Sequence, residues 1–193
     1  MAVGFDNSVR LWDVDAGTCT AVLRGHTDIM WCLADLGGGR LLSGSHDRSL
    51  RVWNTATGAC LAVVPDAHRA GEGGIANAVC ALPGAGAATG SSGGTVQRWN
   101  WDEGASTLTW VGASLRLRGG IVWSLESAPG PDKALQLLAG CNDGALRDLL
   151  GGGGASRWLQ LQADLAGHSG PVLVLAVMMH GAVAGGHGYG AGM

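Results

Sequence analysis

The 193-residue sequence predicts an all-β fold assembled from four-stranded antiparallel sheets, and three observations carry that expectation. Short apolar runs, several with alternating polarity, are bounded throughout by Gly, Asp, Asn and Ser turn residues, the pattern of short strands joined by tight turns. The chain also repeats itself. At a constant offset of 41 residues, Asp6, Ser8, Arg10 and Trp12 fall on Asp47, Ser49, Arg51 and Trp53, and Gly17, Cys19, Ala21 and Val22 fall on Gly58, Cys60, Ala62 and Val63. Finally, 35 residues are glycine, far above the usual share of roughly 7%, and no collagen period accompanies them. Glycine at that density implies frequent turns.

The most complete unit is the stretch Gly25 to Asn54, GHTDIMWCLADLGGGRLLSGSHDRSLRVWN. Its turns at Gly37 to Gly39 and at His46-Asp47 predict strands near 29–34, 40–44, 49–53 and, beyond it, 60–64. Alternation over Ser49-Leu50-Arg51-Val52-Trp53 sends Leu50 and Val52 to one face and Ser49, Arg51 and Trp53 to the other, so both faces are expected to be at least partly packed. The segment before this unit copies only its later half. The unit after it, from His68 to about Ser114, places Cys80 at the position of Cys32, Thr89 at that of Ser43 and Trp99 at that of Trp53, with Gly93 in place of Asp47 and a longer loop, HRAGEGGI, before its first strand. A fourth unit keeps Asp143 but has Leu149 where the tryptophan belongs, and Trp123 echoes Trp31. The four glycines Gly151 to Gly154 read as a linker or turn before an outer strand RWLQLQ. The pattern restarts at Gly167-His168 and stops after a first and a second strand. Approximate unit boundaries are 1–24, 25–66, 67–115, 116–166 and 167–193.

An opening Gly-His pair, a second turn SGSHD and a closing tryptophan, repeated at this spacing, resemble the WD40 β-propeller family, whose period is roughly 40 to 45 residues. The resemblance implies an incomplete WD40-type propeller of four-stranded blades, a piece of a larger ring rather than a closed four-bladed one, since propellers have roughly 4 to 8 blades. It also implies that His26, Ser43, Asp47 and Trp53 form one structural hydrogen-bonded set. A Ser, a His and an Asp together invite comparison with a nucleophilic triad. Against that, Leu41-Leu42-Ser43-Gly44-Ser45 is not a G-x-S-x-G elbow, and buried polar groups of these types are stable only when paired with one another.

The family commonly docks partners on the face formed by the loop before the first strand and the loop between the second and third. Carried over unit by unit, that face comprises Phe5; Thr27, Ile29 and His46; Asn77 and Ser92; Ile121 and Asn142; and Ser169, Pro171 and His187. These apolar and hydrogen-bonding types, without a dominant charge, suit a peptide or protein surface better than a polyanion. The family serves in ubiquitin-ligase substrate adaptors and signalling scaffolds, and the resemblance implies a non-catalytic scaffold holding proteins together. The alternatives are a propeller fragment without independent function, or the substrate-recognition part of a ubiquitin-ligase or signalling assembly.

Totals narrow the partners further. The formal net charge is −3 and only 14% of residues are charged, so no positive field gathers phosphates and nucleic acid is not favoured. Five cysteines, odd in number and without C-x-x-C, suggest neither a disulfide framework nor a zinc knuckle. The six histidines sit in no metal-ligand spacing, no phosphate-binding loop is present, and no metal or other cofactor is expected. Neither a secretory leader nor an apolar stretch of spanning length is seen, Pro171 to Met179 being too short, so the expectation is an intracellular protein, cytoplasmic or nuclear, without membrane attachment.

Overall fold

The computed structural model describes residues 2–3, 5–68, 74–84, 86–129, 135–154, 157–165 and 168–173. They form four antiparallel sheets in chain order. Sheet I holds β1 (Ala2–Val3), β2 (Ser8–Asp13) and β3 (Thr18–Arg24). Sheet II holds β4 (Met30–Gly37), β5 (Arg40–Ser45), β6 (Leu50–Asn54) and β7 (Cys60–Val64). Sheet III is built from β8 (Ala76–Leu82), β9 (Gly86–Ser91), β10 (Thr95–Asp102) and β11 (Thr107–Arg116), and sheet IV from β12 (Val122–Pro129), β13 (Leu135–Cys141), β14 (Leu146–Gly154) and β15 (Arg157–Leu165). In every sheet each strand pairs with the next one in sequence, so all connections are hairpins. The first strands β4, β8 and β12 lie side by side while the fourth strands fan apart, which puts the first strands on the inner side of a propeller.

Apolar side chains fill the gaps between consecutive sheets. Val9, Leu23, Met30, Leu41 and Trp53 pack between sheets I and II. Leu42, Leu50 and Val52 meet Ala76, Ala87, Trp99 and Trp101 between sheets II and III, and Ala88 and Val96 meet Val122, Leu137 and Leu149 between sheets III and IV. Leu50 and Val52 thus point toward sheet III and Trp53 toward sheet I, the two-sided packing expected from the alternation. Small residues on the second strands let the sheets close up. A methyl group on Gly44 would sit 2.9 Å from the Ala76 Cβ, one on Gly90 would meet Val122, and one on Gly140 would lie 2.7 Å from Val172. Val172, ahead of the last expected blade, therefore takes against sheet IV the place that Val122 takes against sheet III. The strands expected after residue 173 lie outside the described residues.

The turn between second and third strands needs a left-handed residue, and Asn7, Arg48, Gly94 and Gly144 occupy it with φ of 59°, 67°, 77° and 80°. Arg48 is the costly choice of the four, since a Cβ there meets the backbone.

Two expectations change. The run Gly151 to Gly154 is not a linker: it continues β14, with Gly151 opposite Leu159 and Gly154 opposite Arg157. The long outer strand β15 supplies its backbone partners, and a strand needs partners more than it needs side chains. Cys80 does not hold the position of Cys32. Cys32 lies opposite Gly44 and Ala78 opposite Gly90, whereas Cys80 lies opposite Ala88 as Ala34 lies opposite Leu42. The equivalent positions of this strand are shifted by two residues from the alignment of Cys80 with Cys32. A slip of two leaves every side chain on its own face, so polarity alternation cannot detect it and only the hydrogen-bonded register does.

Candidate functional site

In sheet II the predicted set assembles completely. The Trp53 indole N–H donates to Ser43 Oγ at 2.8 Å, and Ser43 Oγ lies 2.7 Å from His26 Nε2. His26 Nδ1 is 2.8 Å from Asp47 Oδ2, and Asp47 also accepts the Thr27 N–H at 3.0 Å, the Ser49 N–H at 2.8 Å and the Ser49 hydroxyl at 2.7 Å. An ionised carboxylate only accepts, so the His26 proton sits on Nδ1, and Nε2 accepts from the Ser43 hydroxyl. The proton direction is continuous from indole to carboxylate.

Burial lowers the His26 pKa despite the pull of Asp47 in the other direction, so the imidazole is neutral at pH 7. For Asp47, burial alone would raise the pKa, but the hydrogen bonds from Ser49, His26 and Thr27 together outweigh it and hold the carboxyl down at about 2.

Ser43, His26 and Asp47 have the distances of a nucleophilic triad but not its exposure. Ser43 is fully buried and its oxygen already carries the Trp53 hydrogen bond, so a reacting carbonyl cannot approach it. The set clamps four elements of one blade. Replacing Asp47 with alanine leaves the His26 ring N–H and the Ser49 and Thr27 donors without their acceptor, and is expected to lower stability by about 1–3 kcal/mol in urea unfolding. A change near zero would contradict the clamp.

Sheet III carries a version without the carboxylate. Trp99 donates to Thr89 Oγ1 at 2.8 Å, Thr89 lies 2.9 Å from His68 Nε2, and His68 Nδ1 lies 3.1 Å from Thr95 Oγ1, which is 2.7 Å from Ser91 Oγ. Two hydroxyls thus end the chain that Asp47 ends in sheet II, and Gly93 tolerates the loss. Burial pushes the pKa of His68 down to about 4. Sheet IV abandons the set. Ala139 and Leu149 stand where Ser43 and Trp53 stand, and Asp143 is gripped instead by Arg147, at 2.9 and 2.6 Å. Asp6 and Arg10 form the same i, i+4 pair in sheet I. Where no histidine reaches the turn aspartate, the arginine four residues later takes it.

The predicted docking residues fall at one end of the sheets. His46, Ser92 and Asn142 donate their backbone N–H groups to the carbonyls of Ile29, Ile75 and Ile121 in turn, which makes these three pairs equivalent. Thr27, His46, Asn142, Ser169 and Pro171 are exposed, Ile29, Ser92 and Ile121 are half-buried, and Phe5 is 81% exposed. Asn77 is misplaced: Ile75 is the counterpart of Ile29, and Asn77, at 8% exposure, is the counterpart of Trp31 and Trp123. This is the same two-residue slip that misplaced Cys80. His187 lies outside the described residues.

Two tryptophans outside the predicted face join its members His46 and Asn142 here. Trp31 on β4 and Trp123 on β12 meet edge to face across β8, with ring centroids 6.4 Å apart, and His46 lies 6.4 Å from Trp31. The Trp123 indole N–H donates to Asn142 Oδ1 at 3.1 Å. The echo of Trp31 by Trp123 was a visible signal, but nothing in the linear chain says that residues 92 positions apart touch.

Antiparallel sheets stacked about their first strands, two of them tied from a histidine before the first strand to a tryptophan on the third, have the arrangement of WD-repeat β-propellers. Residues 17–54 match the WD40 family, described as WD domain, G-beta repeat, and the antiparallel sheets of the described residues are consistent with an incomplete propeller of that type. No curated protein matches the chain. Repeats of this family commonly build scaffolds for protein interaction.

Proposed function

We propose that the protein is a non-catalytic scaffold that docks a partner protein on the inner end of its blades, with Trp31 and Trp123 as the anchor. The observation that carries this reading is the aromatic pair itself: Trp31 is 40% exposed on the inner strand although it lies within a cluster of rings. Large, rigid aromatic side chains held partly open to water are the residues that dominate binding energy at protein interfaces. His46, Asn142 and Thr27 around them supply hydrogen-bonding groups without a dominant charge, which fits an extended peptide segment of another protein. All five cysteines are unpaired, in keeping with a reducing compartment.

The test compares proteins retained by the wild-type chain, by Trp31→Ala and by Trp12→Ala, the last removing a tryptophan of similar exposure from sheet I. At least one directly bound partner is expected to be kept by wild type and Trp12→Ala and weakened roughly thirtyfold or more by Trp31→Ala, the loss of an interface hot spot. Equal binding by all three would remove the anchor from this face.

A further inference from the structure

The third strands carry a second recurring position whose one exception opens a cleft. Arg51 lies opposite Ser43, and its equivalents by register are Gln97, opposite Thr89, and Arg147, opposite Ala139; Arg10 is the equivalent in sheet I. Three of the four sheets place an arginine here. In sheet II its guanidinium lies over Trp53, with Cζ 6.0 Å from the ring centroid, and Nη1 reaches Cys60, the residue opposite Trp53 on the outer strand. In sheet III the arginine is Gln97, and the residues flanking the position are Trp99 and, opposite it, Trp110.

The shorter side chain leaves a cleft of about 320 Å³ between sheets II and III, lined among others by Asp66, Ala67, Gln97, Trp99, Trp110 and Ser114. Gln97 is 3% exposed; its amide N–H donates to Ser114 Oγ at 3.0 Å, but its carbonyl oxygen has no hydrogen-bond partner among the described residues. A buried carbonyl acceptor without a donor is unfavourable unless something supplies one. Trp110 is 45% exposed at the edge of the cleft. At the mouth stands Asp66, two residues before His68 as Arg24 at the end of β3 is two before His26, so this unit has lost a cation inside and gained an anion outside. Asp66 is ion-paired with Arg48 at 3.3 Å, and a carboxylate accepts more than one donor.

We propose that this rim cleft receives the arginine side chain of a partner protein, which takes against Trp99 and Trp110 the place that Arg51 takes against Trp53 within the chain. The guanidinium stacks on the Trp110 indole and donates to the Gln97 carbonyl and the Asp66 carboxylate, a planar donor fork meeting a ring face and two acceptors. Sheet II shows why the site does not fill itself elsewhere. A methyl group on Gly25 would lie 2.8 Å from Arg51 Nη1, so glycine there leaves room for the built-in guanidinium in its present place, whereas sheet III has Ala67 at that position. The Ala67 methyl directs an incoming guanidinium outward, toward Trp110 and Asp66. This surface lies between the outer strands, away from the inner face proposed for docking, and stands or falls separately from it.

The probe is a capped alanine pentapeptide with a central arginine, titrated into the full 193-residue chain while the indole N–H resonance of Trp110 is followed. A saturable shift is expected. The citrulline counterpart, equal in shape but uncharged, should bind roughly tenfold more weakly, as should the arginine peptide to Asp66→Asn, each having lost a charge-assisted hydrogen bond. Gln97→Arg, which fills the cleft from within, should abolish the shift. If that variant does not fold, citrulline and Asp66→Asn decide on their own, since neither disturbs the core. No saturable shift with the arginine peptide, or equal binding of arginine and citrulline, would overturn the assignment.

Discussion

Replacing Ser43 with alanine is expected to destabilise the folded chain by roughly 2–5 kcal/mol, a greater loss than any single exposed residue of the docking face would produce. Ser43 is the hub of the set in sheet II, taking the Trp53 indole N–H and giving its own proton to His26. Removing the hydroxyl strands a donor and an acceptor together, both inside the interface between sheets I and II, and each orphaned buried group costs about 1–3 kcal/mol. No water can replace the oxygen without opening the packing of Trp53 against Leu41 and Val9. The check is urea unfolding followed by tryptophan fluorescence, since Trp53 reports on this interface. A loss under 1 kcal/mol would mean that the set is a by-product of the fold rather than a clamp. Thr89→Val in sheet III should act in the same direction, because Thr89 holds the same hub between Trp99 and His68.

Acid should weaken the protein in two steps. His68 is fully buried with its pKa pushed from 6.5 down to about 4, so the unfolded chain takes up a proton there before the folded one does. Stability carried by the neutral imidazole is present at pH 7 and is lost as pH falls from about 7 to about 4, and the depression corresponds to about 3 kcal/mol at about 1.36 kcal/mol per pH unit. His26, also depressed, adds to the loss in the same sense. Asp47, with its pKa lowered from 3.8 to about 2, contributes stability that is complete above its unfolded value and disappears only as pH falls through 4 toward 2. Urea midpoints measured from pH 7 to pH 4 should fall steadily, and the His68 ring resonances should stay in their neutral position at pH 5. A ring that titrates near 6.5 in the folded protein would show that its burial does not exclude the proton.

Much of sheet II was legible in the chain because its signals are local and reinforce one another. Gly37 to Gly39 and His46-Asp47 mark turns, Leu50 and Val52 alternate with Arg51 and Trp53, and the four members of the hydrogen-bonded set lie in a window shorter than 30 residues. Sheet III was read less well. The longer loop before β8 removed the Gly-His landmark that sets register, and Asn77 and Cys80 were placed two positions away from their true counterparts without any violation of the polarity pattern. In sheet IV the glycines of β14 read as a linker because propensity describes a strand by its side chains, while pairing with β15 depends only on the backbone.

The sequence by itself determined the repeat, the turns and the four-stranded unit, since each depends on residue types at short separations, and the family resemblance those features carry implied that His26, Ser43, Asp47 and Trp53 form one set. The tertiary structure decided what lies between blades. The meeting of Trp31 with Trp123, and the cleft in which Gln97, Trp110 and Asp66 converge, depend on how far one sheet rotates onto the next. That rotation is set by whether a glycine, a valine or an arginine stands at the contact between sheets, a sum of packing terms that no local window contains.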